Sequence, residues 1–321
     1  MVCAERKENR GLNRKKLMLL ILIVCLADFS LAGCGDSSGD ELTLGTGGKG
    51  GTYYKYGKEL KKILADEKAA GSVHVQSTAG SASNLRLLSN GLADLAIVQN
   101  DTLKDAVEGT GEFSEDGPLA EIRAIAGLYT ESCQIVAAKN SDIRTVSDLK
   151  GKRVSIGSKE SGVQSNAEQI LATYGLSAKD IESVNLSFDA SASALKRGKI
   201  DAFFCTASAP TTAVSELAED MDIRLVSLDK RSLSQIQQKY DGYSVAEIPA
   251  GTYKGQTDDI QTIGIKAVLV TNTDTDPDAV TAVITSLFKN SDKLQTLTAQ
   301  TDEMTPKYAS SGIAAPFAKA A

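Results

Sequence analysis

The sequence predicts an α/β fold in two lobes, and three observations support this prediction. Short apolar strand patterns alternate with helical patterns along the chain, which is typical of α/β proteins. Six of the predicted strands run into polar loops. Two strong strand patterns, at 134–139 and 263–270, are suited to cross between the lobes. We therefore expect two open mixed sheets joined by two hinge strands, with the polar loops facing one another at the strand ends.

The first 33 residues have the pattern of a targeting sequence. Six basic side chains precede the apolar run 17–26, which is too short to span a bilayer. Leu31-Ala32-Gly33-Cys34 and a polar stretch follow, and together they resemble a bacterial lipobox. We predict a lipoprotein signal peptide at 1–33, lipid attachment through Cys34 and an anchored linker at 34–41. The alternative is an ordinary signal peptide with an incidental cysteine.

The charge of the predicted mature chain limits its partners. Removal of residues 1–33 from the 321 leaves 288 residues, with 29 basic and 38 acidic side chains and a net charge of about −9. An acidic chain is a poor match for nucleic acid or an acidic lipid surface. The sequence holds no run of 18 apolar residues, so it predicts no transmembrane helix. We therefore expect an extracytoplasmic protein that is tethered to a bacterial cell membrane by its lipid.

Two cysteines and one histidine bear on redox and metal chemistry. Cys133 and Cys205 lie in apolar strand patterns, which favours buried thiols, although a disulfide between them stays open. His74, the one histidine, lies in an alternating strand pattern and is predicted to face solvent. With no C-x-x-C pair and a single histidine, the sequence predicts neither a metal site nor a cofactor.

A glycine-rich loop, 45–54, follows the first predicted strand. Its glycines let backbone N–H groups approach a ligand, and the helix that begins after it adds free donors and a positive dipole. The spacing is neither G-x-G-x-x-G nor the G-K-[ST] ending of a P-loop. Tyr53 and Tyr54 offer hydroxyl groups and flat faces instead. The loop is an anion-site candidate, with an ordinary strand–helix turn as the alternative.

Further predicted strands of both lobes also end in polar loops. In the first lobe, strands at 73–76 and 94–98 lead into small or polar residues. In the second lobe, strands at 153–157, 184–188 and 200–204 do the same. In open parallel sheets, ligands bind at these carboxyl ends. The loops are therefore predicted to line one cleft.

The ordered set of loop motifs resembles one family. The matching segments are Gly45-Thr46-Gly47, Gly51-Thr52-Tyr53-Tyr54, Ser77-Thr78-Ala79-Gly80-Ser81, Asn84, 91–101, 148–154, 198–204, Pro210-Thr211 and 248–253. In this order they resemble the TAXI-type solute-binding proteins of tripartite ATP-independent periplasmic (TRAP) transporters. The resemblance implies a type II-like periplasmic-binding-protein fold that binds an organic acid or amino acid, such as glutamate or a related dicarboxylate, and passes it to TRAP-type permease subunits.

We assign lobe 1 to 42–136 and 233–321 and lobe 2 to 137–232, in a monomer. Three segments depart from the family pattern: Thr78-Ala79-Gly80, Glu160-Ser161-Gly162-Val163 and Ser208-Ala209. Glu160 matters most, because a carboxylate beside the ligand would disfavour an anion there. It could instead face solvent or accept a ligand ammonium group.

The candidate ligand-binding residues lie in the six loops. Backbone amides of 47–52 and 81–82 are candidates to hold a carboxylate, and Gln99 or Asp101 to accept an ammonium or hydroxyl group. The alternative for each serine and threonine is local helix capping. The complete candidate set is Gly47, Gly51, Thr52, Tyr53, Tyr54, Ser81, Asn84, Gln99, Asp101, Ser161, Gly162, Ser165, Thr206 and Pro210.

Two other classes of protein compete with this interpretation. An enzyme is disfavoured because the sequence has one histidine, no G-x-S-x-G and no obvious carboxylate pair. A membrane-tethered sensor that passes the ligand signal to a partner receptor fits the same loops. A permease gene beside this one would favour transport, and a sensor kinase gene would favour signalling.

Overall fold

The computed structural model describes residues 41–69, 71–298 and 303–319. The predicted signal peptide at 1–33, the lipid attachment at Cys34 and almost all of the linker lie outside these residues. Within the described ranges, no helix combines the length and apolar character needed to cross a membrane.

Ten strands of the described chain form one mixed sheet. Their order is β2-β1-β3-β10-β4-β7-β5-β6, with β8 paired to β4 and β9 paired to β10. The strands are β1 (Leu42–Gly45), β2 (Val73–Gln76), β3 (Leu95–Gln99), β4 (Ile122–Ala138), β5 (Arg153–Ser155), β6 (Glu182–Val184), β7 (Ala202–Ala207), β8 (Ile223–Leu225), β9 (Ser244–Ile248) and β10 (Ile260–Asn272).

The two predicted sheets are one continuous sheet, because two long strands each serve both halves. The 17-residue strand β4 pairs antiparallel with β10 through Ser132 and with β7 from Ser132 onward. Strand β10 pairs with β9 at 260–264 and with β3 at 267–271. The predicted hinge segment 263–270 lies within β10, and the segment 134–139 lies within β4 except for Lys139. Strand β4 runs through Tyr129-Thr130-Glu131-Ser132 without a break.

Helices connect the consecutive parallel strands of each half of the sheet. Strand β1 is parallel to β2 and β3, and β5 is parallel to β6 and β7. The carboxyl ends of each parallel group therefore lie at one edge. The helices are α1 (Thr52–Glu67), α2 (Ser81–Ser89), α3 (Asn100–Glu108), α4 (Gly162–Thr173), α5 (Phe188–Lys196), α6 (Thr212–Asp220), α7 (Lys230–Lys239), α8 (Pro277–Lys289), α9 (Ser291–Gln295) and α10 (Pro306–Ser310).

Apolar side chains alternate between the two covered faces. In β3, Leu95 and Ile97 pack with α1 on one face, whereas Ala96 and Val98 pack on the other. In β7, Phe204 packs on one face of the sheet and Phe203 packs on the other. Burial on both faces explains why these strands are nearly continuous apolar runs.

The division into two lobes stays a proposal. Residues Leu233, Ile236 and Tyr243 pack in the same cluster as Ile170 and Phe204. We therefore propose that the segment around 233–243 belongs with lobe 2, although the sequence pattern placed it with lobe 1.

The cysteine and histidine predictions are confirmed. Cys133 and Cys205 are free and buried. In the register of β4 and β7, Cys205 lies opposite Gln134, next to Cys133. Because adjacent residues of a strand point to opposite faces, the two thiols lie on different sides of the sheet. His74 is exposed on β2.

Candidate functional site

A cleft lies where the strand-end loops meet. Its volume is about 500 Å³, including space open to solvent. The loops that follow β1, β2, β5 and β6 contribute, together with the carboxyl ends of β3 and β7 and the middle of β4. The lining residues are Gly47, Gly48, Gly51, Thr52, Tyr53, Ala79, Gly80, Ser81, Gln99, Glu131, Ser158, Ser161, Gly162, Val163, Ser187, Phe188, Thr206 and Ala207.

Nine of the predicted ligand-binding residues line this cleft. They are Gly47, Gly51, Thr52, Tyr53, Ser81, Gln99, Ser161, Gly162 and Thr206. The structure thus brings together polar groups from both ends of the sheet. Their role in binding a ligand stays a proposal.

Two predicted residues, the buried Asn84 and the half-buried Asp101, brace the protein beside the cleft. The Asn84 amide donates to the carbonyl oxygens of Thr46 at 2.7 Å and Ile97 at 2.8 Å, which fixes the glycine-rich loop against β3. The Asp101 carboxylate accepts from Asn166 at 2.9 Å and from Tyr243 at 3.2 Å. Neither side chain lines the cleft, and the polar atoms of each form hydrogen bonds with neighbouring protein groups instead.

Three further predicted residues also lie outside the cleft lining. Tyr54 is half-buried on α1, one position beyond Tyr53. Ser165 lies on α4 and accepts a hydrogen bond from Gln169 at 3.1 Å. Pro210 is exposed and precedes Thr211, the residue that caps α6.

Helix N-termini give the cleft its donors. The helices α1, α2, α4 and α5 begin at or next to the lining residues Thr52, Ser81, Gly162 and Phe188. Gly51 and Gly80 cap α1 and α2 and offer no side-chain acceptor to the first-turn N–H groups. Free N–H groups and the positive ends of helix dipoles attract anions.

The hydroxyl groups of three serines that line the cleft have two structural roles: two of them cap helices, and one braces the end of a strand. Ser161 caps α4 by accepting from the Gln164 N–H, and Ser187 caps α5 by accepting from the Ala190 N–H. The Ser81 hydroxyl accepts from the Gln99 N–H at 3.0 Å. The capping interpretation therefore applies to Ser161, which also lines the cleft.

The two sides of the cleft touch directly. The Ser83 N–H donates to the Glu160 carbonyl at 3.2 Å, and the Gly50 N–H donates to Asp189 at 3.1 Å. A Cβ added at Gly80 would lie 3.2 Å from Ser161 Cβ. These contacts join loops from opposite ends of the sheet, so the structure shows the cleft closed.

Glu160 does not place its carboxylate in the cleft lining. Its side chain is exposed and lies 3.8 Å from Arg86, which also binds Asp116 at 2.9 Å. This departure from the family pattern therefore adds an ion pair outside the cleft. Of the residues that line the described cleft, none is lysine, arginine or histidine.

Glu131 is the site residue that the loop motifs missed. It lies in the middle of β4, is 1% exposed and accepts a hydrogen bond from the Tyr53 hydroxyl at 3.0 Å. Burial raises the pKa of Glu131 to about 8, and hydrogen bonds from Tyr53 and Gln99 oppose part of that rise. The available signal was a lone acid in a 17-residue strand pattern that is mostly apolar.

The fold is that of the periplasmic solute-binding proteins. Residues 44–321 match the NMT1-like family, and the chain belongs to it. The predicted periplasmic-binding-protein fold is confirmed, whereas TAXI-type membership within that fold is not established.

Three solved structures illustrate the shared fold. The alkanesulfonate-binding protein SsuA from Xanthomonas axonopodis pv. citri, bound to MOPS, is 18% identical, with 80% of this chain and 73% of that chain covered and a TM-score of 0.50. A putative L-cystine ABC transporter protein from Listeria monocytogenes is 16% identical, with 83% and 99% covered and a TM-score of 0.51. The GluR0 ligand-binding core with L-glutamate is 9% identical, with 82% and 97% covered and a TM-score of 0.50. At these identities the likeness shows the fold alone.

Proposed function

We propose that this chain is an extracytoplasmic solute-binding lipoprotein. It captures a small organic acid or amino acid, of the glutamate or dicarboxylate kind, in the cleft between the strand-end loops. It then delivers the ligand to a membrane transporter. On the loop motifs we place that transporter in the TRAP class and this chain with the TAXI-type binding proteins.

One observation carries the proposal: four helices begin at or beside a single closed cleft. The N-termini of α1 and α2 on one side face the loops that begin α4 and α5 on the other. Such an arrangement suits a small anion held by backbone N–H groups from both sides. Because the lining has no cationic side chain, backbone donors must supply the recognition of a carboxylate.

The similar structures support a small solute rather than a macromolecule. Their names refer to an alkanesulfonate, L-cystine and L-glutamate. Two of the three are a binding protein and a ligand-binding core by name, and the third is named a transporter, which supports binding rather than catalysis. The ligand of this chain is proposed from its own cleft, and these names agree with its size and charge.

Ligand binding would stabilise the closed state through contacts made by both sides. In an open state, a solute held by Gly51 and Ser81 would lack the groups that Ser161 and Gly162 contribute. A ligand shifts the population toward the state in which it makes more contacts. The long strands β4 and β10 connect both sides and are suited to absorb the rotation.

A thermal-shift screen tests the proposal. Purified protein would be melted with a panel of organic acids and amino acids, including L-glutamate and 2-oxoglutarate. A ligand at about 100 times its Kd stabilises by about 2.7 kcal/mol, which corresponds to a rise in Tm of roughly 5–10 °C for a chain of this size. The absence of any shift across the panel would overturn the proposed function.

A matched pair of variants tests whether the ligand-induced rise in Tm comes from binding in the cleft. Gly51→Asp puts a carboxylate at the start of α1 in the cleft, and Gly255→Asp puts one in a distant exposed loop. Gly51→Asp should abolish the shift while Gly255→Asp keeps it. Equal shifts in both variants would place the binding elsewhere.

A further inference from the structure

We propose that Glu131, Gln99 and Thr206 form a subsite for a ligand ammonium group, so that the cleft prefers an amino-acid zwitterion to a dicarboxylate without an amine. This inference rests on the proposed function and narrows its ligand class. The three residues come from different strands and share one property: each presents buried oxygen to the same cleft.

The strand register places the three side chains on one face of the sheet. Gln99 lies opposite Ala267, and Ala267 lies opposite Tyr129, two residues before Glu131. Thr206 lies opposite Cys133, two residues after Glu131. Since side chains two apart in a strand share a face, all three side chains project to the same side.

Two oxygens of this group accept no hydrogen bond. Gln99 Oε1 and Thr206 Oγ1 are buried and have no donor among the residues that the structure describes, and the Thr206 hydroxyl itself donates to the Cys133 thiol. The residues are only 2% and 4% exposed. Buried polar atoms are nearly always paired in folded proteins, so an orphaned pair in a cleft indicates a donor brought by the ligand. An ammonium group brings three donors and no acceptor.

The charge of the cleft favours the same ligand. Glu131 is the one ionisable carboxyl in the described lining, and no cationic side chain lines it. A dicarboxylate would bring two negative charges beside this acid. An amino acid brings an ammonium group that the Glu131 carboxylate can pair with, while its own carboxylate takes the helix N-termini.

Ammonium binding at Glu131 requires the carboxylate form. Burial raises the pKa of Glu131 to about 8, so near neutral pH the ligand-free acid holds a proton. The titratable groups that face it are Tyr53, Asp101, Tyr129, Cys133, Cys205 and Tyr308. The pKa of Asp101 is raised to about 6, and those of the tyrosines and cysteines are raised above their ordinary values. Between pH 6.5 and 8.5, Glu131 is thus the group of this set that titrates.

The test uses matched ligand pairs that differ by one amine. L-Glutamate and glutarate, L-aspartate and succinate, L-alanine and propionate, and L-leucine and 4-methylpentanoate would be titrated calorimetrically at pH 7. The amino acid of the best pair should bind at least tenfold tighter than its amine-free partner. An amine-free acid that binds as tightly or more tightly overturns the ammonium subsite and leaves the proposed function intact. If no compound binds, both are overturned.

Proton release on ligand binding distinguishes a direct role of Glu131 in binding from a purely structural role, which would not change it. At pH 7, binding of the amino acid should release nearly one proton, and its affinity should rise about 20-fold from pH 6.5 to 8.5. Proton uptake, or an affinity that falls over this range, would contradict the assignment.

Three variants isolate the subsite. Glu131→Gln should remove the proton release and weaken amino-acid binding at least tenfold, while leaving amine-free acids as strong or stronger. Thr206→Val keeps the shape of the side chain and should weaken only the amino acid, which keeps the test decisive if Glu131→Gln fails to fold. Glu160→Gln, an exposed acid outside the cleft lining, serves as the control and should bind like the wild type. Unchanged amino-acid binding in Thr206→Val and in a folded Glu131→Gln would overturn the proposal.

Discussion

The Tyr53 hydroxyl donates a hydrogen bond of 3.0 Å to Glu131 Oε2 at the floor of the cleft. This contact joins the first turn of α1 to the middle of β4, two elements separated by 78 residues in sequence. It ties the glycine-rich loop to the buried acid. Because of this contact, we expect the conformation of Tyr53 to depend on the protonation state of Glu131.

Replacing Tyr53 with phenylalanine should destabilise the protein by about 1–2 kcal/mol, because it leaves the buried Glu131 carboxyl with one hydrogen bond fewer. The measurement is urea unfolding at pH 7. Tyr54→Phe, one residue further along α1 and outside the cleft lining, should change the free energy of unfolding by less than about 0.5 kcal/mol. Equal effects of the two variants would show that the contact contributes nothing.

The free energy of unfolding of the ligand-free protein should fall as pH rises from about 4.5 to 8. The pKa of Glu131 is about 8 in the folded state, whereas an unfolded glutamate has a pKa of about 4.3. The folded state binds the proton more tightly, so this stability is fully present below pH ~4 and is lost by pH ~8. The expected loss is on the order of 4 kcal/mol, at about 1.4 kcal/mol per pKa unit.

Denaturation at pH 5, 6.5 and 8 measures this slope. Glu131→Gln should flatten it, and the difference between variant and wild type separates Glu131 from Asp101, whose raised pKa acts in the same direction. Parallel pH profiles for the two proteins would refute the assignment of a protonated, buried Glu131.

Asn84→Ala should cost about 2–4 kcal/mol of stability. It removes the amide that holds the Thr46 and Ile97 carbonyl groups, so each of these buried acceptors would lose a hydrogen bond. The loop it braces lines the cleft, so ligand affinity should also fall. Asn90→Ala is the control, since the Asn90 amide donates to the Arg86 carbonyl at an exposed helix end. Thermal unfolding of both variants, with and without ligand, measures the two effects.

Gly162→Ala should destabilise the closed protein by about 1–3 kcal/mol. A Cβ at this position would collide with the Gln99 side chain and would lie 2.9 Å from Thr102 Oγ1. At Gly48 the nearest atom to an added Cβ is Ser187 Cβ at 3.7 Å, an ordinary contact, so Gly48→Ala should be tolerated. Urea unfolding compares the two; equal stabilities would show that Gly162 is not sterically required.

The loops were predictable because each lies where a short apolar strand changes abruptly to small polar residues. Gly51, Ser81, Ser161 and Thr206 all stand at such changes, and all line the cleft. This signal needs no knowledge of tertiary contacts, since parallel strands bring their carboxyl ends together.

The candidate ligand-binding residues that do not line the cleft show the limit of a prediction from local sequence. Asn84 and Asp101 have the same polarity and loop position as true lining residues, but their partners are Thr46, Ile97, Asn166 and Tyr243. Sequence alone does not distinguish a side chain aimed at a ligand from one that braces a loop. Glu131 was missed for the opposite reason: it lies inside a strand, far from any loop.

The single continuous sheet was also beyond the local pattern. The apolar runs of β4 and β10 predict strands, but β10 pairs with β3 and β4 through residues more than 100 positions apart, which no local pattern shows. The length of β4, 17 residues, was the available indication that it serves both halves.

A crystal structure with the best ligand of the thermal-shift panel tests the central claim most directly. The account predicts electron density for one small molecule in the cleft, with its carboxylate at the N-termini of α1 and α2 and contacts to Ser161 or Gly162 on the other side. A ligand bound outside this cleft, or one held by only one side of it, would contradict the account.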